Sequence, residues 1–306
     1  MPMQQSKIAI IGAGAVGATT AYVATLKNLA AEILLIDVNE TKEEGEVMDI
    51  ADGLSLVETG CVKGADFKDA RDADIIVITA GAPQKPGETR LDLVKKNTEI
   101  QKSIFKQIGK LKSTAIVIMV ANPVDVLTLA AQKISGLPRQ QVFGSGTTLD
   151  TMRFKATLAK KLEVSPQSVH GYVLGEHGDS EFVAWSTVTV GGVPIDKIKE
   201  ITAKDKQEIE KKVKKEAYEI INRKGATFYG IALVLSDIIE AILYNQHKIM
   251  PVSSLLLECH DVSGVCLGMP AVLGRGGVEK IWPLPLNATE KKRLQNSAKI
   301  FEQFSK

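Results

Sequence analysis

The first half of the chain alternates short apolar runs with stretches typical of helices. Runs rich in β-branched residues indicate buried strands at residues 8–11, 33–36, 75–78 and 115–120, with a shorter strand near 142–143. Helices are predicted between them at 15–26, from Thr89 to about Gly109, and after Pro123. Strands that alternate with helices in this way predict an α/β fold with a doubly wound parallel sheet.

After about residue 150 the pattern changes, and a second unit of α+β composition is predicted. Helices are expected at 151–162, 204–222, 226–243 and from about 289. Strands are expected as a pair around 170–174 and 183–190, and again near 253–257 and 271–273. The chain of 306 residues is therefore divided into a first domain over 1–145 and a second, substrate-binding catalytic domain over 146–306.

Composition excludes several classes of protein. The chain has 38 Lys and Arg against 36 Asp and Glu, and 44% of its residues are hydrophobic, which argues against disorder and against a polybasic nucleic-acid binder. The three cysteines, Cys61, Cys259 and Cys266, have no C-x-x-C spacing, so neither a disulfide framework nor a metal site is expected. Without a long apolar stretch or a signal-like start, a cytoplasmic location without membrane insertion is expected.

A glycine-rich turn follows the first predicted strand, with the sequence Gly12-Ala13-Gly14-Ala15-Val16-Gly17. Between a strand and a helix, this G-x-G-x-x-G pattern predicts a Rossmann dinucleotide site, where a pyrophosphate approaches backbone amides at the helix N-terminus. Asp37 ends the second strand, where its carboxylate would accept the ribose hydroxyls and repel a 2′-phosphate. NAD is therefore expected rather than NADP. Alternatively, the glycines only make a tight crossover and Asp37 only caps a turn.

A histidine that can transfer a proton lies on a predicted loop, in the segment Gly175-Glu176-His177-Gly178-Asp179. Reduction of a carbonyl by hydride requires one proton at the oxygen, which an imidazole can donate near neutral pH. Asp150 and Arg153 are three residues apart on a predicted helix and share a face. Asp150 could hold the tautomer of His177 while Arg153 binds a substrate carboxylate, or the two could form only a local ion pair.

Residues 81–90, rich in proline and glycine, predict a lid between the third strand and a long helix. Thr89 is expected to cap that helix, which places Arg90 in the first helical turn, where a cation opposes the helix macrodipole. This unfavourable position indicates a function for Arg90. A solvated surface arginine is the simpler interpretation of the segment on its own.

Taken together, these segments resemble the L-lactate/malate dehydrogenase family over essentially the whole chain from Lys7. The resemblance implies that His177 and Asp150 form the proton-transfer pair. It also implies that Arg153 binds the substrate carboxylate, and that Arg90 polarises the substrate carbonyl when the loop closes.

The resemblance also implies binding roles outside this group. Asn122, in the segment Val120-Ala121-Asn122-Pro123, should form hydrogen bonds near the nicotinamide and the substrate oxygen. Thr227 should line the substrate pocket, and Ile231 should pack against the nicotinamide ring. A homotetramer is implied as the assembly.

One position of the lid distinguishes activities within this family, and here it is Gln84. The resemblance implies pyruvate and L-lactate as substrates, since malate enzymes carry an arginine there to pair with the second carboxylate of oxaloacetate. Without that cation, the second carboxylate would be desolvated unpaired. A malate or broader 2-ketoacid dehydrogenase is the alternative, and a silent NAD-binding protein is the third possibility.

A regulatory site is also implied by the resemblance. Lys155 and His170 occupy positions at which bacterial relatives bind fructose 1,6-bisphosphate between subunits. Lysine in place of the usual arginine keeps the charge but loses the bidentate fork. The alternative is that Lys155 is a solvated helix residue and His170 an ordinary strand residue.

Overall fold

One large sheet carries the fold, and its strands come from both halves of the chain. The computed structural model describes residues 6–83, 87 and 89–304. Its strands are Lys7–Ile11 (β1), Glu32–Ile36 (β2), Cys61–Gly64 (β3), Ile75–Ile78 (β4), Ile116–Met119 (β5), Val142–Gly144 (β6), Val169–His170 (β7), Val173–Leu174 (β8), Phe182–Val183 (β9), Thr189–Val190 (β10), Val193–Pro194 (β11), Lys248–Leu256 (β12), Val265–Gly274 (β13) and Gly277–Ile281 (β14).

Eight helices are distributed over both halves of the described residues. They are Ala15–Leu26 (α1), Glu40–Ala51 (α2), Arg90–Ile108 (α3), Val124–Ile134 (α4), Thr148–Leu162 (α5), Ala203–Lys224 (α6), Tyr229–Leu243 (α7) and Ala288–Phe304 (α8). Within the residues that the structure describes, no helix is both long enough and apolar enough to span a bilayer.

The first six strands form a parallel sheet in the order β3-β2-β1-β4-β5-β6. This is the strand order of a doubly wound dinucleotide-binding sheet, so the predicted Rossmann architecture is confirmed. The central strands β1, β4 and β5 are buried on both faces, which explains their uninterrupted apolar sequences. Apolar residues of α1 and α7 pack on one face of the sheet, and those of α3 and α4 pack on the other.

The second half continues this sheet instead of starting a new one. β12 runs antiparallel to β6 and pairs with it at Ser253 and Gly144, and β13 and β14 add beyond β12. Gly144 lies in close contact with its neighbours, because a Cβ there would lie 2.5 Å from Thr128 Oγ1 and 3.1 Å from Ser253 Cβ. The α+β composition of this half is confirmed, but its strands complete the first sheet, which the local pattern did not indicate.

The strand pair expected around 170–174 and 183–190 belongs to two separate small sheets. β7 pairs with β10, whereas β8 pairs with β9. Gly171 lies between β7 and β8. A Cβ at this position would lie 2.8 Å from Val188 Cγ2, so the packing leaves no room for a side chain there. A 3-10 turn over Trp185–Thr187 separates β9 from β10.

Two predicted helix starts are wrong. α5 begins at Thr148 rather than residue 151, because the Thr148 hydroxyl is buried and donates to the Pro251 carbonyl at 3.2 Å. α7 begins at Tyr229 rather than residue 226. Gly225, with a φ of +87°, ends α6, and residues 226–228 form a connecting loop.

Some elements are longer than predicted or were not predicted at all. β12 and β13 begin earlier than the predicted strands at 253–257 and 271–273. The prediction was too short because Pro251 and Pro270 interrupt the apolar pattern. The two prolines lie opposite each other, so both missing N–H donors fall at one position of the ladder. Helix α2 and strand β3 were not predicted; α2 buries few residues and has little apolar periodicity.

The third glycine of the turn should be required for stability. A Cβ at Gly17 would lie 1.8 Å from the Gly12 carbonyl oxygen, so the strand and helix would have to separate. We expect Gly17→Ala to lower the free energy of unfolding by roughly 1–3 kcal/mol or more. Urea denaturation measures this. Gly45→Ala in α2, where a Cβ meets no atom within 4 Å, is the control and should be neutral or stabilising. Equal stability of the two variants would contradict the packing argument.

Candidate active site

The candidate site lies where the parallel sheet reverses its strand order, between β1 and β4. Loops that follow β1, β4 and β5 meet at this edge, as expected for ligand binding in doubly wound sheets. Asn97 on α3 is buried and joins two of these loops. Its amide accepts the Ala82 N–H at 2.8 Å and donates to the Asn122 carbonyl at 2.7 Å. The loops are therefore fixed relative to each other.

The glycine turn after β1 fits a pyrophosphate. A Cβ at Gly12, which has a φ of +108°, would lie 2.8 Å from the Ala80 N, whereas a Cβ at Gly14 would meet no atom within 4 Å. The turn is thus closed on its inner side and open at Gly14. Among the described residues, no side chain caps α1 and no acidic residue lies in its first turn. The first N–H groups of α1, beginning near Ala15 and Val16, can therefore receive an anion.

Asp37 lies beside this turn and orders it. One carboxylate oxygen accepts the Ala13 N–H at 2.6 Å, and the other accepts the Asn39 N–H at 2.9 Å. The second of these contacts is the turn-capping role left open from sequence, and the first joins the carboxylate to the glycine turn. Glu43, which sequence analysis missed, is buried and accepts the Asp37 N–H at 2.6 Å. Burial raises the pKa of Glu43 despite this hydrogen bond.

His177, Asp150 and Arg153 are in direct contact. His177 Nδ1 lies 2.7 Å from one Asp150 oxygen, and Arg153 Nη1 donates to the other at 2.9 Å. Asp150 is 2% exposed and Arg153 8%, whereas the side chain of His177 is 27% exposed. The i,i+3 spacing on α5 brings the acid and the arginine together. A buried carboxylate thus holds two cationic groups, and the imidazole is the more exposed of the two.

Asp150 determines the protonation state of His177. Burial alone would lower the pKa of the imidazole, but the charge of Asp150 and the hydrogen bond to it outweigh burial and raise the pKa of His177 to about 9. Burial likewise opposes ionisation of Asp150, yet His177 and Arg153 together hold the pKa of its carboxyl below the ordinary value. At neutral pH the pair is therefore carboxylate and imidazolium.

Arg90 lies against the loop that carries His177. The Thr89 hydroxyl accepts the Asp92 N–H at 3.2 Å, which confirms the predicted cap and places Arg90 at the first position of α3. The guanidinium forms an ion pair with Glu176, and a Cβ at Gly178 would lie 3.5 Å from Arg90 Nη2. Burial lowers the pKa of Arg90. The arginine of the predicted lid is thus within the site, paired with an acid from the histidine loop.

Several acidic and hydroxyl residues around His177 were missed by sequence analysis. Asp125 accepts the His177 N–H at 2.8 Å, and Ser297 on α8 accepts the Glu176 N–H at 2.6 Å. The sequence could have indicated Asp125, because it is an acidic residue in the otherwise apolar start of α4. Ser297 gave no such signal, since it comes from a helix 121 residues further along the chain.

Glu181 is a further carboxyl beside the pair. It is buried, and ligand-type atoms of Asp150, His177 and Glu181 all lie within 4.8 Å of one another. Burial and the neighbouring Asp150 raise the pKa of Glu181 well above the ordinary value. Both oxygens of Asp150 already bind His177 and Arg153, so the three residues do not form an open metal cage.

The other candidate residues are more dispersed. Asn122 is exposed, precedes the cis peptide bond to Pro123, and accepts the Val124 N–H at 3.3 Å. Thr227 is half-buried in the loop between α6 and α7. Ile231, on the first turn of α7, packs against the same apolar cluster as Val16 after the glycine turn. Gln84 lies outside the described residues.

The two candidate regulatory residues lie on elements that pack together, Lys155 on α5 and His170 on β7. His170 is exposed, whereas Lys155 is half-buried, with its amine 5.9 Å from the centre of the Tyr172 ring. Burial, and next the nearby Lys248, lower the pKa of Lys155, although Asp237 opposes them. An anion bound here would relieve this repulsion.

Sequence models of one enzyme family match nearly the whole chain. The model of the lactate/malate dehydrogenase NAD binding domain matches residues 6–144, and that of the alpha/beta C-terminal domain matches residues 147–304. The chain belongs to the lactate/malate dehydrogenase family. It is an NAD-dependent oxidoreductase, and the expectation of NAD as cofactor is confirmed.

Curated relatives and solved structures of this family cover the chain almost completely. L-lactate dehydrogenases of Clostridium botulinum strain Hall and of Thermoanaerobacter sp. strain X514 are each 46% identical over 302 residues, which is 97% of this chain and 95% and 97% of theirs. The minor L-lactate dehydrogenase of Enterococcus mundtii, solved in a ligand-bound form, has a TM-score of 0.95 at 41% identity and covers 98% of each chain. MGS-M5, a lactate dehydrogenase from a Medee basin deep-sea metagenome library, has a TM-score of 0.94 at 42% identity, covering 99% of this chain and 98% of its own.

The imidazole of His177 should titrate near pH 9. The chain has four histidines, so NMR of ring-labelled protein resolves them, and His177→Gln identifies the signal. In Asp150→Asn, we expect the pKa of His177 to fall by roughly 1–3 units, because the neutral amide no longer favours the imidazolium. Asp72→Asn, at an exposed site, is the control. An unchanged titration in Asp150→Asn would contradict the assigned cause.

Proposed function

We propose that this protein is an L-lactate dehydrogenase, which reduces pyruvate to L-lactate with NADH and catalyses the reverse reaction with NAD⁺. The observation that carries the proposal is the contact of His177 and Arg153 with one buried carboxylate, Asp150, at 2.7 and 2.9 Å. This arrangement supplies a proton and a cationic anchor for a carboxylate side by side, which a 2-ketoacid requires. The names of the two curated relatives described above support the same activity.

Each residue of the cluster has a distinct task in the proposed reaction. Arg153 donates one N–H to Asp150, and the rest of its planar fork can bind the substrate carboxylate. NADH, when bound, supplies the hydride that the carbonyl carbon accepts. His177 donates its proton to the substrate oxygen, and Asp150 stabilises the imidazolium before transfer. Arg90 leaves Glu176 to polarise the carbonyl when the lid closes.

The remaining site residues are proposed to bind cofactor and substrate. Backbone amides from Gly12 to Gly17 hold the pyrophosphate, and Asp37 accepts the ribose hydroxyls at lone pairs beyond those used by Ala13 and Asn39. Asn122 and Thr227 contact the substrate side, and Ile231 packs against the nicotinamide. The division of the chain into domains at residues 145 and 146 remains part of this proposal.

Selectivity for pyruvate is proposed to rest on Gln84. Closing the lid over a dicarboxylate would bury its second carboxylate without a cation at this position. The malate-enzyme alternative requires a further cation to take that role, because Arg90 and Arg153 are already assigned to the substrate carbonyl and to its first carboxylate. The silent-protein alternative is disfavoured because the proton donor and the carboxylate anchor are both in place.

We also propose a regulated, cytoplasmic homotetramer that regenerates NAD⁺ in glycolytic fermentation. Three helices expose large apolar side chains, namely Met48 on α2, Met152 on α5 and Leu233 on α7. Exposed apolar side chains of this kind support an interface with other subunits. The half-buried amine of Lys155 beside Lys248 supports an anion site of the kind that fructose 1,6-bisphosphate would occupy.

Pyruvate should be preferred over oxaloacetate by at least roughly 100-fold in kcat/KM, because an unpaired buried carboxylate costs several kcal/mol. NADH oxidation at equal substrate concentrations measures this ratio. Gln84→Arg should reverse the preference, whereas Gln107→Arg on the exposed end of α3 should leave it unchanged. Preference of the unaltered protein for oxaloacetate would overturn the substrate assignment. Absence of turnover with both, together with retained NADH binding, would favour a silent protein.

Fructose 1,6-bisphosphate should lower the apparent KM for pyruvate and stabilise the tetramer, as measured by steady-state kinetics and light scattering. Lys155→Gln should abolish both effects, since it removes the cation that faces the phosphate. Lys160→Gln, at an exposed position of the same helix, is the matched control. An unchanged KM in the presence of the bisphosphate would show that Lys155 and His170 are ordinary surface residues.

A further inference from the structure

Asp125 is another buried carboxyl at the site, and it lies on α4, whereas Asp150 lies on α5. It lies in the first turn of α4 and is 2% exposed. One oxygen accepts the His177 N–H at 2.8 Å, and the other accepts the Ser253 hydroxyl at 2.5 Å. Ser253 is the residue at which β12 joins β6. Asp125 therefore links α4, the histidine loop and the junction of the sheet.

The charged groups that act on Asp125 include His177 and Arg90, both of which have a role in the proposed reaction. Burial raises the pKa of Asp125, whereas the Ser253 and His177 hydrogen bonds and the charges of His177 and Arg90 lower it. Asp125 in turn favours the protonated form of His177, in addition to Asp150 and Glu181. The groups that act electrostatically on the imidazole thus come from α4, α5 and the end of the histidine loop.

Resting on the proposed function, we propose that Asp125 is a positioning residue for proton transfer. Asp150 fixes the imidazole ring of His177 through Nδ1, and Asp125 fixes the main chain that carries the ring through its N–H. Two carboxylates on separate helices thereby hold one histidine at two atoms. Neither contact alone determines the direction of the ring, because a free main chain could rotate about the Asp150 hydrogen bond.

The contact with Ser253 offers a purely structural alternative, in which Asp125 only joins the two halves of the molecule. The two roles can be separated because they use different oxygens. Ser253→Ala removes only the junction contact. Asp125→Asn retains an oxygen that can accept the His177 N–H and gains an amide that can donate to Ser253. Asp125→Leu keeps the branched shape of the side chain but removes the acceptor.

The test compares Asp125→Asn, Asp125→Leu, Asp125→Ala and Ser253→Ala with the unaltered enzyme and with Asp72→Ala at an exposed site. Pyruvate reduction gives kcat and KM, NADH fluorescence gives cofactor affinity, and NMR gives the titration of His177. We expect the Ala and Leu variants to lose at least about tenfold in kcat with little change in NADH affinity, since loss of positioning raises the barrier rather than weakening cofactor binding. Asp125→Asn and Ser253→Ala should keep kcat within a few fold.

The NMR readout does not depend on turnover. All three Asp125 variants should lower the pKa of His177 by roughly half a unit to one unit, because each removes a nearby negative charge. Ser253→Ala should leave this pKa unchanged. Normal kcat and normal titration in Asp125→Leu would overturn the inference, and so would equal losses in Ser253→Ala and Asp125→Leu. Absence of turnover in the unaltered enzyme would instead refute the proposed function. If Asp125→Ala does not fold, Asp125→Leu decides the question.

Discussion

The site depends on one buried negative charge, the carboxylate of Asp150. A carboxylate that is 2% exposed is costly unless cations and hydrogen bonds compensate it, and here Arg153 and His177 do so, one at each oxygen. The same contact gives the site its chemistry, because the charge of Asp150 favours the protonated imidazole that pyruvate reduction requires. The contact that stabilises the buried charge of Asp150 is thus the same one that keeps His177 protonated at neutral pH.

The fold brings distant segments to the histidine loop. Asp125 on α4 and Ser297 on α8 hold successive backbone N–H groups, those of His177 and Glu176, and Asp150 on α5 holds the imidazole ring. These helices are adjacent at the loop because β12 extends the parallel sheet through β6, so that the second half packs on the edge of the first. A loop with glycines on both sides of Glu176 and His177 is in this way fixed without regular secondary structure of its own.

Features set by local sequence could be predicted, and those set by distant contacts could not. The buried strands, the glycine turn and the Thr89 cap follow from apolar runs and side-chain chemistry within a few residues. The Asp150 and Arg153 contact follows from the helical period. By contrast, Asp125 and His177 are 52 residues apart, and Ser253 lies another 76 residues along. Their meeting depends on the sheet order, which no local pattern specifies.

The most direct test of the account is the pH dependence of the hydride-transfer step in both directions, measured by stopped-flow absorbance of NADH with saturating substrates. Reduction of pyruvate requires the imidazolium of His177, and oxidation of lactate requires the neutral ring. Because Asp150 raises the pKa of His177 to about 9, reduction should be constant at neutral pH and fall as the pH rises through that value. Oxidation should rise through the same value. Rates that do not change with pH in either direction would contradict the central role of the Asp150 and His177 pair.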